Sequence, residues 1–247
     1  EKAFDFGGMP ARNGVTAATM VASRFTGVED VLSGDRGFFH AHGRFAQPER
    51  LAEGLGRKFD IMNTAIKRWA VGYPIQAPLD AVSNLIAAHG VTAKDVDRIV
   101  VTIDEQGART VNQRKMADIN IQHLVALMLV DGEITFASSH DSSRLRDSAV
   151  TRFRKRIELV GSAQLSRAKT TQAIVEITTR GGERFSYHTR AVRGSATNPM
   201  SREEVAVKSR DLLVPVLGAR RAGSLIQTVW NIERVKNVRA LRSLLRA

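Results

Sequence analysis

Apolar residues recur at helical spacing near the start of the chain. In residues 14–32, Ala and Val dominate and apolar positions fall three and four apart, which predicts one buried helix, a turn at Gly27 and a short second helix. Residues 33–57 hold five glycines and show no strong period, so we expect a loop there. This part of the chain is therefore predicted to be helical and irregular.

Two later segments predict helices that end at glycine. Residues 77–89 have a helical pattern that stops at Gly90, and glycine readily adopts the left-handed conformation that closes a helix. Residues 120–130, NIQHLVALMLV, are apolar nearly all round, which predicts a helix buried on every side. We expect Asp131 and Gly132 to end it.

Other apolar runs have the composition and the alternation of strands. Residues 97–104 and 157–160 are rich in β-branched residues, so each predicts a strand. Residues 173–179 and 183–190 alternate and are joined by Arg-Gly-Gly at 180–182. Two alternating runs with a Gly-Gly turn predict a β-hairpin.

Three shorter segments lie between these elements. Residues 105–116 are polar and without a period, which indicates irregular structure. Residues 134–137 are compatible with a short strand, and residues 147–156 predict an amphipathic basic helix.

The last part of the chain is predicted to be helical. Ser201 and Glu204 form the S-x-x-E pattern of a capping box, in which each side chain accepts a hydrogen bond from the other residue's backbone N–H. We expect helices from there to Ala247, with a break at residues 215–218.

The order of these elements predicts an α+β protein with a composite architecture. The simplest arrangement packs the two helical ends together, with a mixed α+β lid inserted between them. The corresponding ranges are 1–56 and 196–247 for the helical domain and 57–195 for the lid.

Composition and charge narrow the classes of function. The chain has 247 residues and no cysteine, which excludes disulfides and thiolate chemistry. No apolar run reaches the roughly 18 residues of a membrane span, and the first residues lack the features of a signal peptide, so we expect a cytoplasmic protein with no membrane partner. Residue 1 is Glu, and the apolar residues that follow indicate that the chain begins inside a domain.

The net charge of +12 leaves three interpretations open. Lys and Arg are spread along the whole chain, and 2 Trp and 2 Tyr supply few rings on which bases could stack, which argues against a nucleic-acid-binding module without excluding one. The charge is otherwise a solvated surface or a field that attracts an anionic substrate.

Few motifs point to a cofactor or a metal. The chain has neither a phosphate-binding glycine loop nor a G-x-S-x-G sequence. His40 and His42 lie in a Gly-rich segment, and only His140 with Asp141 offers further ligands, so ordinary loop histidines are the simpler interpretation. We expect no cofactor and no metal.

Three side chains are candidates for chemistry, and each has a plain structural alternative. Lys67 lies among apolar and aromatic neighbours, so its ammonium group is suited to bind a carboxylate or act as a base, or its stem simply packs on the surface. His123 lies in the most apolar helix, where it can exchange protons or serve as a core residue. Lys2 lies near Gly7 and Gly8, where close-packed backbone can hold a lysine in a pocket, and the alternative is a solvated terminal lysine.

Three segments in order resemble the MmgE/PrpD family, which includes 2-methylcitrate dehydratase, cis-aconitate decarboxylase and iminodisuccinate epimerase. They are KAFDFGGMPARNGVTAA, IKRWAVGYPIQAPLDA and ADINIQHLVALMLVDG, and RGSATNPMSREEVAVK is similar to the family's return into its helical domain. The resemblance implies that this chain is the C-terminal portion of a member. It also implies an active site between the helical domain and the lid, a small carboxylic acid as substrate, and a homodimer.

The resemblance assigns roles to particular residues. The family's two pocket lysines correspond to Lys2 and Lys67, and its aromatic Tyr corresponds to His123. Where members carry histidines five and nine residues after the second lysine, this chain has Gly72 and Gln76.

The departures put the substrates of known members in doubt. Asp5 also replaces a common histidine near the first lysine. We expect Gly72, Tyr73 and Gln76 to contact the substrate.

Together these features lead to one hypothesis about the reaction. In this hypothesis the chain is part of a cofactor-independent lyase of the 2-methylcitrate dehydratase type. Decarboxylation and epimerisation are the alternative reactions, because they pass through related carbanions. Two lysines would hold carboxylates and stabilise enolate charge, and His123 would move a proton. We expect the 247-residue chain alone to be inactive.

Overall fold

The computed structural model describes residues 4–246 and divides into two compact units. The first unit spans Glu1–Phe59 and the second spans Asp60–Ala247. The predicted α+β class is confirmed, because helices accompany a single four-stranded sheet in the described part of the chain.

The first unit is helical and irregular, but its helix is not buried. Helix α1 (Met9–Ala22) follows a π-helical turn and has no buried residue, and Val15 is 66% exposed. The prediction of a buried helix was therefore wrong, because an apolar helix face is buried only against a neighbouring element. The predicted second helix after Gly27 is irregular chain, and the predicted loop includes a short helix α2 (Phe38–His42).

The second unit is built on the four-stranded sheet, whose order is β2-β1-β3-β4. The strands are β1 (Val96–Asp104), β2 (Ile157–Ser162), β3 (Ala173–Thr179) and β4 (Arg184–Thr189). Strand β1 pairs in parallel with β2 and antiparallel with β3, which forms the predicted hairpin with β4. The predicted strands at 97–104 and 157–160 and the hairpin are confirmed.

Two buried helices pack with the sheet to form the core. Helix α3 (Gln76–His89) contacts β3 and β4, and helix α5 (Ile121–Asp131) contacts α3 and β2. Gly90 and Gly132 end them with φ values of 64° and 82°, the left-handed conformation that both predictions required.

In the second unit, two short helices replace other structure that the sequence predicted, because polar side chains start them. Helix α4 (Glu105–Val111) begins where Asp104 accepts a hydrogen bond from the backbone N–H of Gly107, in a segment expected to be irregular. Helix α6 (Phe136–His140) begins with a capping box of Thr135 and Ser138, which overrides the strand expected at 134–137.

Four further helices complete the second unit. They are α7 (Ser148–Arg154), α8 (Ala163–Ser166), α9 (Arg202–Leu217) and α10 (Ala219–Trp230). The basic helix and the capping box of Ser201 and Glu204 are confirmed, and the break falls at Gly218. After Trp230 the described chain forms only short 3-10 turns, Ile232–Arg234 and Val238–Ser243. None of the described helices combines the length and the apolar character that crossing a membrane requires.

Candidate functional site

Lys67 begins a short loop that side chains hold in place. This lysine loop, residues 67–71, precedes helix α3 and has no helix or strand of its own. The Lys67 ammonium group donates a hydrogen bond to the carbonyl oxygen of Val71 at 3.0 Å, which closes the loop upon itself. The ammonium group thus has a defined position with part of its hydrogen-bonding capacity left for a ligand.

Gln76 supports the same loop from inside the core. Its side chain is fully buried, and its Oε1 accepts a hydrogen bond from the backbone N–H of Trp69 at 3.2 Å. Its Nε2 donates to the carbonyl oxygens of Trp69 at 3.0 Å and of Val71 at 3.5 Å. Because both amide protons serve the loop backbone, the direct substrate contact expected of Gln76 stays a prediction, and its observed contacts are structural.

Gly72 brings the end of the loop against the segment before helix α5. Its N–H donates to the carbonyl oxygen of Asp118 at 2.8 Å. A Cβ atom at position 72 would lie 3.3 Å from Cγ2 of Ile119, which leaves little room for a larger side chain there. Tyr73 follows in a 3-10 turn and is 39% exposed.

His123 is fully buried in the first turn of helix α5. Its backbone N–H donates to Oδ1 of Asn120 at 2.9 Å, but neither ring nitrogen has a hydrogen-bond partner among the described residues. Burial, together with the positive charges of Arg154 and Arg144, lowers the pKa of the imidazole to about 4. The ring is therefore neutral near pH 7, where it can accept a proton but carries none to release as an imidazolium.

The predicted residues of the second unit lie on linked segments. The Gly72–Asp118 hydrogen bond joins the end of the lysine loop to the chain that leads, through Asn120, into the helix of His123. Lys2 lies outside the described residues. Its predicted approach to Lys67 therefore remains a prediction.

Lys208 is a neighbour of Lys67 that the sequence did not indicate. It lies on helix α9, and its ammonium group donates a hydrogen bond to the backbone carbonyl oxygen of Lys67. Burial lowers the pKa of Lys208, and the positive charge of Lys67 lowers it further. The only sequence signal was its place in the segment that resembles the family's return helix.

A cleft of about 660 Å³ opens beside the lysine loop. Its lining includes Arg68 and Trp69 from the loop, Thr135 before helix α6, and Lys208 and Asp211 from helix α9. Polar and charged groups of both signs therefore face a space large enough for a small carboxylic acid.

A cluster of charged groups fastens the start of helix α9. Arg193 donates hydrogen bonds from Nε and Nη2 to the two carboxylate oxygens of Glu204, and its backbone N–H donates to Oδ2 of Asp80 at 2.7 Å. Hydrogen bonds from Arg193 and from the backbone N–H of Ser201 lower the pKa of Glu204 to about 2, and burial raises the pKa of Asp80. Arg68 Nη1 lies 3.6 Å from Asp80 Oδ1, so the cluster also reaches the lysine loop.

Metal-binding chemistry has little support in this part of the chain. Within residues 4–246, no three His, Cys, Asp or Glu side chains are grouped closely enough to hold an ion. The histidines considered for such a site, His40 and His42, belong to the short helix α2.

Comparison with known proteins identifies the family. The family model of the MmgE/PrpD C-terminal domain matches residues 69–233. This range includes His123, Lys208 and all of the cleft lining except Arg68, and it begins two residues after Lys67. No curated protein matches the chain closely enough to serve as a named relative. The match covers most of the chain and agrees with the ordered sequence segments, and the chain therefore belongs to the MmgE/PrpD family.

Proposed function

We propose that the chain carries a carboxylate-binding part of a cofactor-independent lyase that acts on a small di- or tricarboxylic acid, as 2-methylcitrate dehydratase does. The observation that carries the proposal is the ammonium group of Lys67, held by Val71 in a loop that Gln76 makes rigid. Among the described side chains, no carboxylate lies within ion-pair distance of this ammonium group. A substrate carboxylate is the anion it would bind.

Dehydration next to a carboxylate needs charge stabilisation and proton transfer. A base removes the proton from the carbon beside the carboxylate, and negative charge develops on the carboxylate oxygens. The C–O bond then breaks as the protonated base returns this proton to the hydroxyl group, which leaves as water. Lys67, with Lys2, would stabilise that negative charge. His123 would accept the proton as a neutral imidazole.

The role of His123 is supported by its unpartnered ring nitrogens. Unsatisfied buried polar atoms are rare in native proteins, and a catalytic role is one physical reason to keep them. The role requires that the ring reach the substrate when the site is complete. Helix α5 would then supply the base and the lysine loop the cation.

The test is turnover by the complete natural protein with 2-methylcitrate and citrate. Lys67→Ala should lower kcat/KM by about 100-fold or more, the typical effect of removing a group that stabilises a developing oxyanion. Lys94→Ala, which removes an exposed lysine of the same unit, is the matched control and should keep wild-type turnover. Equal activity of the two variants would refute the role of Lys67.

Product analysis separates the reactions that share a carbanion. Loss of CO2 would indicate decarboxylation, and exchange of the α-hydrogen with inversion would indicate epimerisation. The same proposal assigns residues 1–56 and 196–247 to the helical domain and 57–195 to the lid. It also includes a cytoplasmic homodimer, which the resemblance implies.

A further inference from the structure

We propose that Lys208 is a positioning residue for Lys67, fixing the backbone of the lysine loop and adding positive charge at the site. The catalytic importance of Lys208 rests on the proposed function, but its contact with the lysine loop can be tested without a substrate. The carbonyl oxygen of Lys67 accepts a hydrogen bond from Lys208 although 141 residues separate the two.

Side chains hold the carbonyl groups at both ends and in the middle of the loop. Lys208 binds the carbonyl oxygen of Lys67, Gln76 binds that of Trp69, and the ammonium group of Lys67 binds that of Val71. Because the loop has no ladder or helical hydrogen bonds of its own, side-chain contacts such as these three help to fix its conformation. Removing Lys208 frees the residue whose side chain must point at the substrate.

Helix α9 gives Lys208 a fixed starting point. The capping box of Ser201 and Glu204 stabilises the first turn, and the side chain of Arg193 binds Glu204 from outside the helix. Lys208 lies about two turns of helix after Ser201. Its reach to Lys67 is therefore set by an anchored element.

Among the described side chains, neither Lys67 nor Lys208 has an ion-pair partner. Its acidic residues on helix α9 already have partners: Glu203 binds Arg210, Glu204 binds Arg193, and Asp211 accepts from the backbone N–H of Phe136. In the described structure the ammonium groups of Lys67 and Lys208 donate to backbone carbonyl oxygens and to no carboxylate. Two neighbouring cations of this kind attract an incoming carboxylate more strongly than one.

Amide hydrogen exchange tests the geometry on the 247-residue chain. Lys208→Met should raise the exchange rates of the Trp69 and Gly72 amides about tenfold, the equivalent of roughly one charge-assisted hydrogen bond. Lys208→Arg, which keeps a cationic donor, should restore most of the protection, and Lys94→Met should change nothing. Wild-type exchange in Lys208→Met would overturn the proposal.

A second measurement keeps Lys208 in place, so its result does not depend on whether the Lys208 variants fold. Lys67→Met should raise the pKa of the Lys208 ammonium group, because a nearby positive charge is removed. Competitive acylation of lysines across a pH series, read by mass spectrometry, reports that pKa. An unchanged value would contradict the proximity of the two ammonium groups.

Kinetics of the complete natural protein then separate positioning from general stability. If Lys208 acts mainly through Lys67, Lys208→Met lowers kcat/KM by a larger factor in the wild type than in Lys67→Met, where only its added charge is lost. Additive losses would overturn the positioning role. If Lys67→Met leaves turnover unchanged, the proposed function fails, while the exchange result still decides whether Lys208 positions the loop.

Discussion

Replacement of His123 by Leu should stabilise the fold and remove an acid sensitivity. The imidazole is fully buried with two unpartnered nitrogens, and Leu has a similar volume without polar atoms. Removing an unsatisfied buried polar group is worth about 1–3 kcal/mol. At pH 7 the variant should therefore have a higher free energy of unfolding than the wild type.

The pH dependence follows from the lowered pKa of His123. In the unfolded chain the imidazole protonates near its ordinary value of 6.5, whereas in the folded chain it does so only near 4. The unfolded state therefore binds the proton first, and folding stability present above pH 6.5 is lost as the pH falls toward 4. The shift corresponds to a loss of about 2 kcal/mol at pH 5 and about 3 kcal/mol at pH 4.

Urea unfolding followed by tryptophan fluorescence, at several pH values between 4 and 8, measures this difference. The wild type should lose stability relative to His123→Leu as the pH falls, and His140→Gln, which removes an exposed histidine, should follow the wild type. A parallel pH dependence of the wild type and His123→Leu would refute the assignment. The same variant assayed for turnover distinguishes a core histidine, whose loss leaves kcat unchanged, from the proposed base.

Two further predictions concern the junction that supports the lysine loop. Gly194→Ala should cost more than about 3 kcal/mol or prevent folding, because its Cβ would lie 1.9 Å from the carbonyl oxygen of Ile66 at a φ of 95°. Gly90→Ala is the control in thermal unfolding, since its φ of 64° is also positive but its Cβ would meet open space, and a cost of only about 1 kcal/mol is expected. Glu204→Gln should lower stability at pH 7 by about 1 kcal/mol. In the wild type, the stability contributed by the pair with Arg193 is fully present above the ordinary glutamate pKa of 4.5 and is lost as the pH falls through about 2. If the free energies of unfolding of the wild type and the variant depend on pH in the same way, the ion pair is contradicted.

The elements that local chemistry determines could be predicted from the sequence. Helices α3 and α5 have long periodic patterns and end at glycines, and the hairpin has alternating strands around Gly-Gly. Helices α4 and α6 were missed because they are short and depend on capping by Asp104 and Thr135, which a search for apolar periodicity does not detect.

The sequence indicated individual residues for the candidate site but not how they are arranged. The resemblance indicated Lys67 and His123, yet the part played by Gln76 depends on where the backbone of the lysine loop folds back. Lys208 was out of reach because its partner lies 141 residues away and is a backbone carbonyl group, which every residue possesses.

The topology of the sheet has a consequence for the order of folding. Strand β1 is central, yet both of its partners follow it in the chain, and the Arg98–Glu158 ion pair that links it to β2 spans 60 residues. The β3–β4 hairpin can form locally, whereas β1 emerges from the ribosome long before either neighbour is available. Its unpaired backbone edges and its apolar side chains must therefore stay protected from other nascent chains during synthesis, and slow pairing of β1 is the step at which misassembly competes with folding.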